Sequence, residues 1–210
     1  MTSTVKHIWF DLAGTLYKET DEFNQVHDRF RYETYGKLLG ISDPEQAKSE
    51  FLEAYAKAGS NSAVFRALGK PSDFWMKALN DMDFTAILEP DPDVYETIAK
   101  LKELVPISIF TNFDTTRLAN LLAHLKISID DFTHVISGDD IKERKPALDG
   151  FHLMIEKSQL PANEILYVGD RVAVDIIPAK QVGIKTCLLY DTSPEADYCF
   201  ENFRDILNIL

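Results

Sequence analysis

Five residues of this chain stand where a folded α/β protein does its chemistry. Val5 to Phe10 is an apolar run that reads as a buried strand, and it stops abruptly at Asp11-Leu12-Ala13-Gly14-Thr15. An acid at the carboxyl end of such a strand lies where ligands bind in α/β proteins. Gly14 permits a tight turn and lets a ligand approach the backbone amides closely. A second apolar run, Val105 to Thr111, also ends in a hydroxyl residue, followed by Asn112. A third, His134 to Ser137, leads through the charged loop Gly138–Arg144 to Lys145-Pro146. A fourth, Ile165 to Val168, ends in Gly169-Asp170, and Asp175 lies five residues further on.

In a parallel sheet these carboxyl ends lie side by side along one edge. Two or three acids gathered there cannot all stay ionised without a cation. A hard divalent ion held by a few carboxylates, waters and substrate phosphate behaves as magnesium does. Lys145 adds a fixed positive charge, while Thr111 and the amides after Asp11 can donate to phosphate oxygens. Asp11 therefore reads as a nucleophile, a metal ligand, or both. A nucleophilic carboxylate, a phosphate cradle and Mg²⁺ are the parts that covalent aspartyl-phosphate chemistry needs. Singly, each residue is ordinary: a strand-end threonine, a surface lysine, a turn acid, a helix-capping acid. Only their combination carries the reading.

The elements that must position these residues alternate. After the second run come Leu118, Leu121, Leu122 and Leu125 at helical spacing; Ala147–Ser158 and Val174–Val182 read as further helices. Lys185–Tyr190 is a fifth strand, and Phe203 to Leu210 a closing helix. Strand and helix in alternation argue for an α/β fold on a parallel sheet with right-handed crossovers. The exception is Thr20 to Leu88, which shows no strand pattern. Phe23, Val26, Phe30 and Leu38 recur there at helical spacing. Asp43-Pro44-Glu45-Gln46 opens a helix through Phe51 and Tyr55, with an acid cap and proline in the first turn. Gly59-Ser60-Asn61-Ser62 breaks it, a short helix runs from Val64 to Leu68, and Ser72 caps another carrying Trp75 and Leu79. The aromatic residues of this insert read as core between helices. After Glu89-Pro90-Asp91-Pro92, Asp93 is expected to cap a helix, with Glu96 closing a capping box. An insert that follows the first strand is well placed to act as a lid.

Composition narrows the partners. The chain has 210 residues, 45% of them apolar, and a formal net charge of −12. That balance disfavours nucleic acid and anionic membrane as partners. It also means that an anionic substrate needs local positive charge or a metal. Cys187 and Cys199 sit among apolar residues without metal-ligand spacing and read as buried free thiols. No targeting segment precedes the first strand, and no apolar run approaches membrane-spanning length, so a cytoplasmic protein is expected. A monomer or weak homodimer is the default.

Asp11-Leu12-Ala13-Gly14-Thr15 resembles the first motif of the haloacid dehalogenase-like (HAD) hydrolase superfamily, and Thr111-Asn112 the second. Lys145-Pro146 resembles the third and Gly169-Asp170-Arg171-Val172-Ala173-Val174-Asp175 the fourth. The four occur in the family's order across nearly the whole chain. The resemblance implies a doubly wound, Rossmann-like core over residues 1–18 and 89–210, with a small helical type 1 cap over residues 19–88. It implies a small phosphorylated metabolite as substrate and Mg²⁺ as cofactor. Asp11 would be nucleophile and metal ligand, the carbonyl of Ala13 a second ligand and Asp170 a third, with Asp175 beside them. Leu12, Ala13, Thr111, Asn112 and Lys145 would hold the phosphoryl group. Tyr17, Arg29, Arg66 and Lys70 are candidates for contact with the leaving group.

One position departs from the family pattern. Its phosphatases carry a second acid two residues after the nucleophile, which protonates the leaving alcohol and then activates water. Here that position is Ala13, and loss of a positioned acid–base typically costs ~10²–10⁴ in rate. Three explanations compete: an engineered silencing of a phosphatase, another chemistry, or a non-catalytic phosphate- or partner-binding descendant. The other chemistries are those of phosphonoacetaldehyde hydrolase, which shares Asp-x-Ala-Gly-Thr and uses a cap lysine, and of the haloacid dehalogenases. The cap lysines here are Lys37, Lys48, Lys57, Lys70 and Lys77.

Overall fold

The computed structural model describes residues 5–210. The chain divides into two compact units, Met1–Lys18 with Glu89–Leu210, and Glu19–Leu88. The first begins with β1, His7–Phe10, every residue of which is buried.

The second unit is helical. Its α1 (Asp21–Leu39) is capped by the Thr20 hydroxyl and stopped by Gly40 in the left-handed conformation. Next, α2 (Pro44–Ala58) starts as the sequence reads, with Asp43 accepting from the Glu45 amide. Asn61 and Ser62 do not interrupt the chain: Ser60 caps α3 (Asn61–Ala67) at once. Ser72 is not the cap of α4 (Phe74–Ala78); Asp73 holds that position, with no side-chain cap bond. Aromatic packing closes this unit. Phe51, Phe65 and Trp75 are fully buried; Phe65 stacks on Trp75 at 5.2 Å and Tyr35 meets Phe51 edge-on at 5.5 Å. Such pairs contribute about 0.5–1.5 kcal/mol each beyond their buried area.

The first unit is a sheet between helices. Its α5 (Pro92–Leu101) is capped by Asp91, which accepts from the Asp93 amide, so the capping box expected at Asp93 does not form. The Asp-Pro signal that opens α2 opens this helix too, because proline presets the first helical residue. Asp93 instead pairs with Arg204. After it come β2 (Ile107–Phe110), α6 (Thr115–His124), β3 (His134–Ile136), α7 (Asp149–Ser158) and β4 (Ile165–Gly169). A wide π-type turn over Val172–Ile176 precedes α8 (Ile177–Gln181), in place of one helix over 174–182. Then come β5 (Lys185–Leu189), β6 (Tyr198–Phe200) and a closing 3-10 helix, Phe203–Ile209. The strand β6 escapes the sequence pattern: three half-buried residues are too few to show a period. It also leaves Cys199 half-buried rather than buried; both cysteines are free.

The sheet order is β3-β2-β1-β4-β5-β6, parallel throughout. From β1 the chain winds outward through β2 and β3, then returns to β4 on the other side of β1. The reversal lies between β1 and β4, where the crossovers leave a crevice at the strands' carboxyl ends. On one face Trp9, Phe110, Phe151, Met154 and Tyr167 form the core. Among the described residues no helix is long and apolar enough to cross a membrane.

At the opposite end of β1, His7 is buried against Trp9 at 5.4 Å and 2.8 Å from the Ser108 hydroxyl. Ser108 Oγ also accepts the His134 amide at 3.0 Å, so one hydroxyl ties the His7 ring to β3. Burial, and secondarily His134, lowers the His7 pKa from 6.5 to about 4. The unfolded chain therefore binds the proton first, and stability falls as pH drops from 6.5 towards 4. We expect that loss to be on the order of 2–4 kcal/mol. Thermal melts across this range should show a clearly flatter pH dependence for His7→Gln than for the wild type.

Candidate active site

The crevice is built from the ends of β1, β2 and β4. Asp11 directly follows β1, and its amide donates to Val168 on β4 at 2.9 Å. Asp11 is buried, as are Thr111, Lys145 and Asp175, while Asp170 is half-buried. Lys145 Nζ lies 2.7 Å from Asp11 Oδ1 and 2.8 Å from Asp175 Oδ1. Its third close acceptor is the hydroxyl of Tyr167, at 2.6 Å. Three donors thus meet three acceptors, and the ammonium cannot turn elsewhere without giving one up.

Two glycines admit two of the acids. A Cβ on Gly14 would lie 2.2 Å from Asp170 Oδ2, and one on Gly169 would lie 2.5 Å from the Asp175 Cβ. Gly14 also has φ +77°, so the turn after Asp11 needs glycine twice over. One carboxylate oxygen from each of Asp11, Asp170 and Asp175 lies within 4.8 Å of the others. Asp11 Oδ2 is buried with no hydrogen-bond partner. A buried carboxylate oxygen left this way is costly, and a hard cation between it and Asp170 removes the cost. The oxygen-only donor set suits Mg²⁺. Asp175 differs: its Oδ1 accepts from Lys145 and Tyr167, and its Oδ2 from the Arg171 amide at 3.2 Å. Arg171 Nε stands 3.8 Å from Asp170 and 3.9 Å from Asp175.

Burial pushes the Asp11 carboxyl above its ordinary range; Lys145 pulls it down and Asp175 pushes it up. A divalent cation at the same place would pull it further down. Burial chiefly, with Asp175 and Asp11 nearby, raises the Tyr167 phenol well above its ordinary value. It stays protonated, its hydroxyl accepting from the Lys145 ammonium and donating towards Asp175 Oδ1 at 3.3 Å.

The remaining residues expected from the sequence fall as follows. Thr111 accepts the Phe113 amide at 3.2 Å, which leaves its own hydroxyl proton for another acceptor. Asn112 grips the Lys145 backbone from both sides: its Oδ1 accepts the Lys145 amide at 2.8 Å, and its Nδ2 donates to the Lys145 carbonyl at 3.1 Å. Its side chain thus holds the loop that delivers Lys145. Leu12 is buried, and its carbonyl accepts the Thr15 and Leu16 amides; Ala13 is half-buried. Tyr17 is buried in the first unit. Arg29 and Arg66 are exposed, and Lys70 is half-buried with its Nζ 5.7 Å from the centre of the Phe74 ring. Lys37, Lys48, Lys57 and Lys77 are exposed, so no lysine of the helical unit is desolvated as an imine-forming lysine would be. Tyr167 and Arg171 are the residues that sequence reasoning missed. Strand parity could have found Tyr167: it pairs with Trp9, one pleat before Asp11 on the same face.

The sequence pattern of the haloacid dehalogenase-like hydrolases matches residues 5–183. The chain belongs to this family. This HAD hydrolase is 41% identical to a phosphoglycolate phosphatase of Photorhabdus laumondii, over 98% of its own length and 92% of that protein's. It is 35% identical to a ribulose-1,5-bisphosphate 5-phosphatase of Halopiger xanaduensis, with 90% and 86% covered. It is 27% identical to a glyceraldehyde 3-phosphate phosphatase of Methanocaldococcus jannaschii, with 98% and 97% covered. Its fold is that of a HAD phosphatase from Thermococcus onnurineus, with a TM-score of 0.76 at 22% identity and coverage of 98% and 97%.

Lys145 supplies the counter-charge to two buried acids. Lys145→Met should cost about 3–5 kcal/mol, because a broken buried pair leaves charge unpaired. Without Lys145 to pull it down, the Asp11 carboxyl of the variant is held still higher by burial in the folded state, so the variant's stability declines as pH rises. Chemical denaturation at several pH values should show the gap to wild type narrowing towards acid.

Proposed function

We propose that this HAD hydrolase is a Mg²⁺-dependent phosphatase of small phosphorylated metabolites, with Asp11 as nucleophile and the helical unit as its cap. The observation that carries the reading is Asp11 itself: one oxygen held by Lys145, the other buried and unpartnered beside Asp170. Asp11, the Ala13 carbonyl and Asp170 would hold the ion, and Asp175 would back them while fixing Lys145. The bound ion would neutralise charge between the carboxylate and the phosphoryl oxygens. The names of the three relatives support phosphorylated acids and sugars as the substrate class.

In the first step an Asp11 carboxylate oxygen bonds to phosphorus as the bond to the leaving oxygen breaks. The Thr111 hydroxyl and the amides after Asp11 hold the transferring group, and Lys145 keeps the nucleophile aimed. The leaving oxygen then needs a proton, and the methyl group of Ala13 has none to give. Water must supply it, so alkyl phosphates suffer more than aryl phosphates, whose phenolate leaves without help. In the second step water attacks the acyl phosphate and regenerates Asp11, again without a base at residue 13. Binding survives while turnover slows.

Ala13→Asp should therefore raise Mg²⁺-dependent hydrolysis by ~10²–10⁴, with a larger gain for phosphoglycolate than for p-nitrophenyl phosphate. Steady-state assays on both substrates check this. No gain on either would sink the phosphatase reading and leave the protein as a binder; turnover by the variant would exclude a purely binding role for the scaffold.

A further inference from the structure

Tyr190 stands one residue beyond β5 with φ +65°, in the left-handed region. A bulky aromatic residue rarely adopts that conformation, and it persists only where the surroundings over-determine it. Three contacts do so here. The Tyr190 amide donates to the Phe200 carbonyl on β6 at 2.8 Å. The Lys18 ammonium lies 4.5 Å from the centre of its ring. Its hydroxyl donates to the Thr15 carbonyl at 3.2 Å, across 175 residues of sequence.

That carbonyl belongs to the turn after Asp11. From within, the turn is tied by the Thr15 and Leu16 amides, which donate to Leu12 at 3.3 and 2.9 Å. Beside Thr15, Gly14 packs so tightly on Asp170 that no Cβ fits. The peptides of Ala13 to Thr15 are thus fixed from one side by Leu12, from a second by Asp170 and from a third by Tyr190. With the Ala13 carbonyl as the third ligand of the proposed metal site, a small movement of this turn would withdraw it from the ion.

We propose that Tyr190 is a positioning residue of the metal site: by gripping Thr15 it holds the Ala13–Thr15 turn where the Ala13 carbonyl, Asp11 and Asp170 converge on one ion. The proposal rests on the Mg²⁺ reading of this site. It gives β6 a task as well, since the strand's edge fixes the backbone from which Tyr190 reaches back.

Calorimetric titration of the full chain with MgCl₂ tests it, paired with thermal melts in EDTA. Tyr190→Phe keeps the ring, the backbone and the Lys18 contact but loses the grip; it should bind Mg²⁺ about three- to tenfold more weakly while its metal-free melt stays near wild type. Tyr190→Asn tolerates the left-handed backbone but is too short to reach Thr15, and a loss at least as large is expected. A residue that merely stabilised the fold would lower the melting temperature and leave Mg²⁺ affinity intact. Unchanged affinity in both variants, with wild type binding normally, overturns the proposal alone. A wild type that takes up no Mg²⁺ overturns the reading of the site and this inference with it.

Discussion

The Lys145 ammonium is the constraint on which the rest of the structure depends. It is buried with Asp11 at 2.7 Å and Asp175 at 2.8 Å. Removing charges from water costs several kcal/mol for each ion, and only short, well-aimed contacts recover it. The surroundings supply such contacts. Tyr167 takes the third proton, the Phe110 and Tyr167 rings lie 5.1 and 5.3 Å from the ammonium, and Asn112 locks the backbone of the lysine itself. One ammonium still cannot satisfy every acid present. Asp11 retains an unpartnered oxygen, and Asp170 stands beside it. The protein has assembled a deficit of positive charge at one point, and a divalent ion is the simplest object that fills it.

The fold delivers this arrangement through its strand order. With β1 flanked by β2 and β4, residues just past three neighbouring strands meet across two strand spacings. Asp11, Thr111 and Asp170 need no loop of unusual length to come together. Lys145 does need one, and Asn112 anchors it. The chain's overall charge of −12 opposes an anionic substrate. The crevice answers locally, with Lys145 and Arg171 held among the acids, so the global balance does not govern the site.

Much of this was legible in the sequence because the signals are local. An apolar run that ends in an acid, a glycine or a small hydroxyl residue specifies a strand tip, and four such tips in alternation with helices specify a parallel sheet. Acid-proline pairs mark helix starts at Asp43 and Asp91 alike, although at the second the capping-box spacing of Asp93 and Glu96 points two residues too far along. What escaped was of two kinds. One is structure without a period, such as the three-residue β6 and the π-type turn around Asp175. The other is a residue whose role exists only through distant partners. Tyr167 looks like strand core, and it is core by burial, yet its hydroxyl ends at the ammonium. Tyr190 looks like a strand terminus until its bond to Thr15 is seen.

Ala13 takes its meaning from the same charge balance. The crevice gathers the carboxylates of Asp11, Asp170 and Asp175 against the cations of Lys145 and Arg171. The divalent ion proposed above would turn that small negative excess into a small positive one, which would suit a bound phosphate dianion. An acid at residue 13 would cancel the excess whenever it was ionised, so an alkyl phosphate would be held less firmly while its departure was helped. With alanine there, the proposed phosphatase would favour retention and give departure no help. On this reading alanine at residue 13 would shift the balance between holding a phosphoryl group and passing it to water, and would leave the means of holding it in place.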